Sequence, residues 1–178
     1  MAERLTTKWA SERLGPSADD VSISSAGIEA NEGHDMDPLS AGALMRLDGD
    51  PSGFRSRAWT PRLSEDADLV LTMTRHERRT VLEGSPRTLR RTFTLLEAAD
   101  LLRGADLGDL DAVPLLGRAR SLGLRLDAGR ANRWVTERDD IPDPLGRPGR
   151  VHEAVLAEIA DALRPLTAAL FRSPDAAG

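Results

Sequence analysis

Cysteine is absent from all 178 residues of this chain. That excludes disulfides, thiolate metal sites and a cysteine nucleophile within these residues. No apolar run approaches the ~20 residues that a membrane helix needs. The N-terminus lacks the charged-then-apolar organisation of a signal peptide, so the expected address is cytoplasmic, with no membrane partner. Charge is nearly balanced: 29 acidic residues against 24 basic ones leave a net charge of -5. Only Arg87-Thr88-Leu89-Arg90-Arg91 forms a local basic cluster, which argues against a nucleic-acid partner. His34, His76 and His152 lack metal-ligand spacing, so no metal or other cofactor is expected, and loop or surface positions are expected for all three. Around Ser24-Ser25 there is no Gly-x-Ser-x-Gly elbow, which speaks against a serine nucleophile. Internal repeats and low-complexity segments are also missing.

A hydrophobic fraction of 40% beside a charged fraction of 30% is that of a globular domain with a substantial core. Leu5, Trp9 and Leu14 share one face of a helix over Met1–Leu14, which Gly15-Pro16 stops. Val21-Ser22-Ile23-Ser24-Ser25-Ala26-Gly27 begins with apolar–hydroxyl alternation and predicts a strand. Pro38 opens a helix to about Leu47, and Thr60-Pro61 starts a short one. Asp68-Leu69-Val70-Leu71-Thr72-Met73 predicts a buried parallel strand. Helices at Arg75–Glu83 and Glu97–Arg103 flank a short strand at Thr92–Leu95, and a further helix covers Asp111–Leu126. The last helix, from about Gly149 to Phe171, turns Val151, Val155, Ile159, Leu163, Leu166 and Leu170 inward, with a kink expected at Pro165. Strands alternating with helices imply an α/β fold with a parallel sheet and right-handed crossovers. Ser173–Gly178 is expected to be a disordered tail after a single domain over residues 1–172.

Asp139-Asp140-Ile141-Pro142-Asp143-Pro144-Leu145-Gly146 resists both helix and strand. Its two prolines fix φ, remove donors and bias the residues before them toward extended geometry. Asp143, between them, sits on a stiff loop ahead of the last helix, a placement that suits a general acid. Solvated aspartates in a plain turn are the competing reading.

Five pieces in one order resemble the low-molecular-weight protein-tyrosine phosphatase family, in its bacterial branch. They are Val21–Gly27, Met36-Asp37-Pro38, Ala67-Asp68-Leu69-Val70-Leu71-Thr72-Met73-Thr74, Arg91-Thr92-Phe93-Thr94-Leu95 and Ile141-Pro142-Asp143-Pro144. The resemblance runs from Met1 to about Leu170, and Met1-Ala2-Glu3-Arg4-Leu5 resembles the helix turn that follows the family's active-site loop. It implies a three-layer α/β/α parallel sheet with a phosphate site at the C-terminal ends of the strands. In such proteins a C-x5-R loop supplies a thiolate that attacks phosphorus and an arginine that holds the phosphate. An aspartate of an Asp-Pro loop protonates the leaving group. The resemblance assigns that general acid/base role to Asp143, and to Ser25 the serine that supports the phosphate loop.

The departures matter as much. No first strand, C-x5-R loop or cysteine is present, Leu145 replaces a substrate-facing aromatic, and Ile28 replaces a threonine. Phe171-Arg172-Ser173-Pro174 echoes the loop's Arg-Ser-Pro but ends a helix, and reads as coincidence. Trp59 falls near a cleft wall of the family or serves packing. Arsenate reduction on this fold needs several cysteines and is disfavoured. The expectation is therefore an inactive 178-residue product, arising from a truncated gene model whose real start lies upstream. The alternative is a genuine pseudophosphatase acting as a binding or regulatory protein. With the loop in place, a phosphotyrosine protein or small aryl phosphate would be the partner. The strand absent between Val21 and Leu69 predicts either that these two strands close up on each other or that they pair across a homodimer.

Overall fold

A computed structural model describes residues 1–133 and 137–172. The expected tail at Ser173–Gly178 lies outside the described residues. Helix α1 (Ala2–Leu14) runs into a 3-10 turn at Gly15–Asp20, and α2 (Pro38–Met45) and α3 (Pro61–Asp66) follow. Strand β1 (Val70–Thr72) leads to α4 (Arg75–Gly84), and β2 (Thr92–Thr94) leads to α5 (Leu95–Gly104). Helices α6 (Leu115–Gly129) and α7 (Gly149–Leu170) complete the order. Among the described residues no helix is long and apolar enough to cross a membrane.

The two strands are parallel, in the register Val70↔Thr92, Leu71↔Phe93 and Thr72↔Thr94. Each passes directly into a helix through the same device. The hydroxyl of Thr74 accepts the Glu77 N–H at 3.1 Å, and Glu77 returns a carboxylate oxygen to the Thr74 N–H at 2.9 Å. Thr94 and Glu97 repeat the exchange at 3.1 and 3.2 Å. These capping boxes satisfy donors that a helix start leaves orphaned, and both are legible as Thr-x-x-Glu.

Helix α7 is the centre of the core. It packs against α1, α2, α5 and α6. Val155, Ile159, Leu163 and Leu166 are buried as expected, while Val151 and Leu170 are half-buried. Leu5 of α1, Leu44 of α2, Phe93 of β2 and Leu122 of α6 are wholly enclosed around it. Trp9 packs against the edge of this cluster and lies under the Arg164 guanidinium, 5.1 Å from its ring centre.

The expected strand at Val21–Gly27 does not form. Val21 has extended dihedrals (φ -108°, ψ 118°), but the segment makes only one parallel bridge, Gly27 to Ala58. Extended backbone becomes a strand only with a ladder partner, and among the described residues the bridge at Gly27 is not continued by pairing of Val21–Ala26. Nor do the Val21 segment and β1 close up on each other: among the described residues β1 pairs only with β2 in the sheet. No described strand pairs with its other edge, and Val70 and Leu71 are only partly covered, whereas every residue of β2 is buried. The expected buried strand is thus covered only in part.

Candidate active site

The Asp143 loop is fixed at both ends. On the entry side Asp139 is buried and takes both terminal nitrogens of Arg133, at 3.0 and 2.5 Å. Arg133 also donates through Nε to Asp100 of α5 at 2.6 Å. These carboxylates, Asp139 first, raise the guanidinium's pKa further above its ordinary value. Next, Asp140 clamps the start of α4. Its Oδ1 accepts the Arg75 backbone N–H at 2.6 Å, and its Oδ2 accepts Nη2 of the same residue at 2.9 Å. The bonds from Arg75 hold the Asp140 carboxyl below its ordinary value. Ile141 is buried and donates its N–H to the Met73 carbonyl at 2.8 Å. That bond attaches the loop directly past the C-terminal end of β1, where open α/β sheets carry their ligands.

At the apex the geometry changes. Pro144 is buried, but Asp143 is exposed to solvent. Its Oδ1 accepts the Leu145 N–H at 2.9 Å, an Asx turn that steers the carboxylate without neutralising it. The next residue, Gly146, has φ 73°, a left-handed turn that a residue without Cβ adopts at no steric cost. Arg147 N–H closes back on the Pro144 carbonyl at 2.9 Å, and the Arg147 carbonyl contacts Nε2 of His152 at 3.2 Å. A stiff loop therefore holds an exposed carboxylate at its tip.

Ser25 lies elsewhere on the chain and reaches α1. Its hydroxyl donates to Glu3 in the first turn at 2.5 Å, and its carbonyl accepts Nε of Arg57 at 2.7 Å. Neither a hydrogen bond nor an ion pair joins Ser25 to Asp143 among the described residues. Trp59 serves packing: its Nε1 donates to Ser64 at 2.7 Å, and its ring closes over Gly84. His34 and His76 are exposed as expected, but His152 is not. It is wholly buried, with Nδ1 2.8 Å from the Ser40 hydroxyl, because its helical position faces α2 rather than solvent. Among the described residues no cluster of histidine and carboxylate groups could hold a metal ion.

Sequence reasoning singled out Asp143 but missed the groups that hold its loop. Asp139 and Asp140 were visible as acids, yet their partners Arg133 and Arg75 are ordinary arginines until the fold brings them near. The two Thr-x-x-Glu boxes flanking the strand ends were the available signal.

A family model described as low molecular weight phosphotyrosine protein phosphatase matches residues 1–110. Asp143 lies beyond that match. No match is found among curated protein sequences. Among solved structures, a YwlE arginine phosphatase carrying a phosphorylated active-site serine is similar at 23% identity and a TM-score of 0.64, over 98% of this chain and 88% of that one. The tyrosine phosphatase amsI of Erwinia amylovora is similar at 18% identity and a TM-score of 0.63, over 96% and 83%. Vibrio vulnificus Wzb, solved with benzylphosphonate, gives 16% and 0.61, over 93% and 86%. At such identities these structures establish the shared fold alone. With a match over more than half its length, the chain belongs to the low molecular weight phosphotyrosine protein phosphatase family.

Proposed function

We propose that Asp143 is the general acid/base of a phosphomonoester site and that these 178 residues, by themselves, do not turn that site over. The observation that carries the reading is an anchored acid loop in a chain without a single cysteine. Acid catalysis needs a carboxyl group whose proton can reach the leaving oxygen, and Asp143 is exposed on a loop that cannot swing freely. It would deliver a proton to a departing phenolate and then take one from the attacking water. The phosphocysteine route also needs a thiolate to attack phosphorus, and no residue here can supply it. Phosphotyrosine proteins or small aryl phosphates are the substrate class, by family. Ser25, held against Glu3 of α1, is the loop-supporting residue of this reading.

The test is hydrolysis of an aryl phosphate by the 178-residue chain beside D143A. Expected is release no faster than the buffer background for either. Turnover by the parent that D143A abolishes would keep Asp143 as the acid and overturn the claim of silence.

A pseudophosphatase that binds without cleaving is the second reading. What favours it is apolar exposure around the loop: Leu145 is 66% exposed and Leu39 of α2 is 48% exposed. Saturable binding of a phosphotyrosine peptide without phosphate release would support it. The open edge of β1 is the surface through which a homodimer would form, and a concentration-independent monomer in sedimentation would count against that.

A further inference from the structure

His152, Ser40 and Asp37 form a buried polar cluster that the reading above leaves unused. His152 has no exposed surface, and Ser40 retains only 8%. Hydrogen-bond logic sets the protonation of the ring. The Arg147 carbonyl, 3.2 Å from Nε2, can only accept, so Nε2 carries the hydrogen. Nδ1 is then bare and accepts the Ser40 hydroxyl at 2.8 Å. Asp37 Oδ1 stands 3.5 Å from the same Nδ1 while it accepts the Leu39 and Ser40 N–H groups, at 3.0 Å each, as the N-cap of α2. One imidazole thus ties three elements together: the start of α2, the first turns of α7, and the exit of the Asp143 loop.

We propose that the Ser40–His152 pair is a positioning device for the acid loop, and that protonation of His152 shifts the loop. The inference rests on the reading of Asp143 as the acid. Removing a proton from Ser40 Oγ to Nδ1 is not required; the hydroxyl keeps its hydrogen throughout. When the ring gains a proton from solvent, Nδ1 turns from acceptor to donor and the Ser40 hydroxyl loses its acceptor. The imidazolium is then attracted to the carboxylate of Asp37, the charged group nearest to it. The charged residues nearby in sequence on the elements that the ring joins are Arg46, Arg147, Arg150 and Glu153. Arg46, the residue after α2, pairs with Glu153 of α7, and Arg147 and Arg150 are exposed. As the ring moves toward α2, Nε2 takes the Arg147 carbonyl with it. Arg147 closes the turn on Pro144, so the displacement reaches the Asp143–Leu145 Asx turn.

The Leu145 amide reports that turn directly and needs no catalysis, so the assay separates this inference from the role of Asp143. The experiment follows the Leu145 N–H and His152 ring resonances of the full chain by NMR as pH is lowered across the range in which the chain stays folded. Expected is one shared midpoint in the parent and a flat Leu145 amide in H152Q. S40A, which keeps the ring and the core, should move the Leu145 amide at the alkaline end toward its acid-side position. The Met1 amine, whose pKa burial pushes down, remains in H152Q, as do His34 and His76. A Leu145 amide that stays fixed in the parent, or that titrates unchanged in H152Q, would overturn the proposal. So would an S40A spectrum identical to the parent's in this turn.

Discussion

Asp140 and Arg75, 65 residues apart, close on each other by backbone and side chain together. One carboxylate oxygen takes the backbone N–H of Arg75 at 2.6 Å, and both oxygens take its guanidinium. The Asp143 loop is therefore bolted to the first residue of α4, which itself leaves the end of β1 through the Thr74 capping box. Rigidity at Asp143 comes from this attachment as much as from its prolines.

Asp140→Ala should cost about 1–3 kcal/mol, because the Arg75 N–H loses its charged acceptor at a helix start. Denaturant midpoints would show the loss. Faster amide exchange at Ile141 would show that the loop has loosened, and an unchanged exchange rate would contradict the attachment.

Acid should weaken the fold through the same group. The Asp140 carboxyl is held below its ordinary 3.8 by the Arg75 hydrogen bonds, and Asp100 is held below 3.8 by its bonds from Arg103 and then Arg133. A depressed folded-state pKa stabilises above the unfolded value and loses that contribution as pH falls through the folded one. Midpoints of denaturation should therefore fall below about pH 4, more steeply for the parent than for D140N. Equal slopes would remove Asp140 from the acid response.

Arg130 is a hub whose loss should be felt across the sheet. Its guanidinium stacks on Phe93 at 3.9 Å and donates to the Thr92 and Leu89 carbonyls at 2.5 and 2.8 Å and to buried Glu97 at 3.0 Å. Arg130→Ala strips several acceptors at once and is expected to cost about 2–4 kcal/mol by thermal or chemical denaturation. Arg130→Lys keeps the charge but not the fork, so it should recover only part.

Gly84→Ala is predicted to destabilise by overpacking. A Cβ there would lie 2.6 Å from Trp59 Cη2 and 3.5 Å from Pro61 Cγ. A cost of about 1–3 kcal/mol is expected, with a change in tryptophan emission as the ring gives way. Removing the ring in a Trp59→Leu background should relieve most of it.

Much of this molecule is written locally. Apolar spacing in Gly149–Leu170, proline at the starts of α2 and α3, the apolar run at Leu69–Leu71 and the alternating Thr92-Phe93-Thr94-Leu95 each specify their element through short-range physics, and each element is present. Asp143 was legible for a similar reason, since two prolines and a glycine dictate a stiff turn wherever they stand. The tertiary structure decided what depends on a partner distant in sequence. Val21–Ser25 has strand-like alternation, but among the described residues no strand completes a ladder with it, so it forms none. His152 looked like a loop histidine until packing of α2 on α7 sealed it against Ser40, and Arg75 and Arg133 gained their meaning only when the chain brought carboxylates to them. Backbone preference is a property of a few consecutive residues. Pairing, burial and charge compensation belong to residues that only the fold makes neighbours.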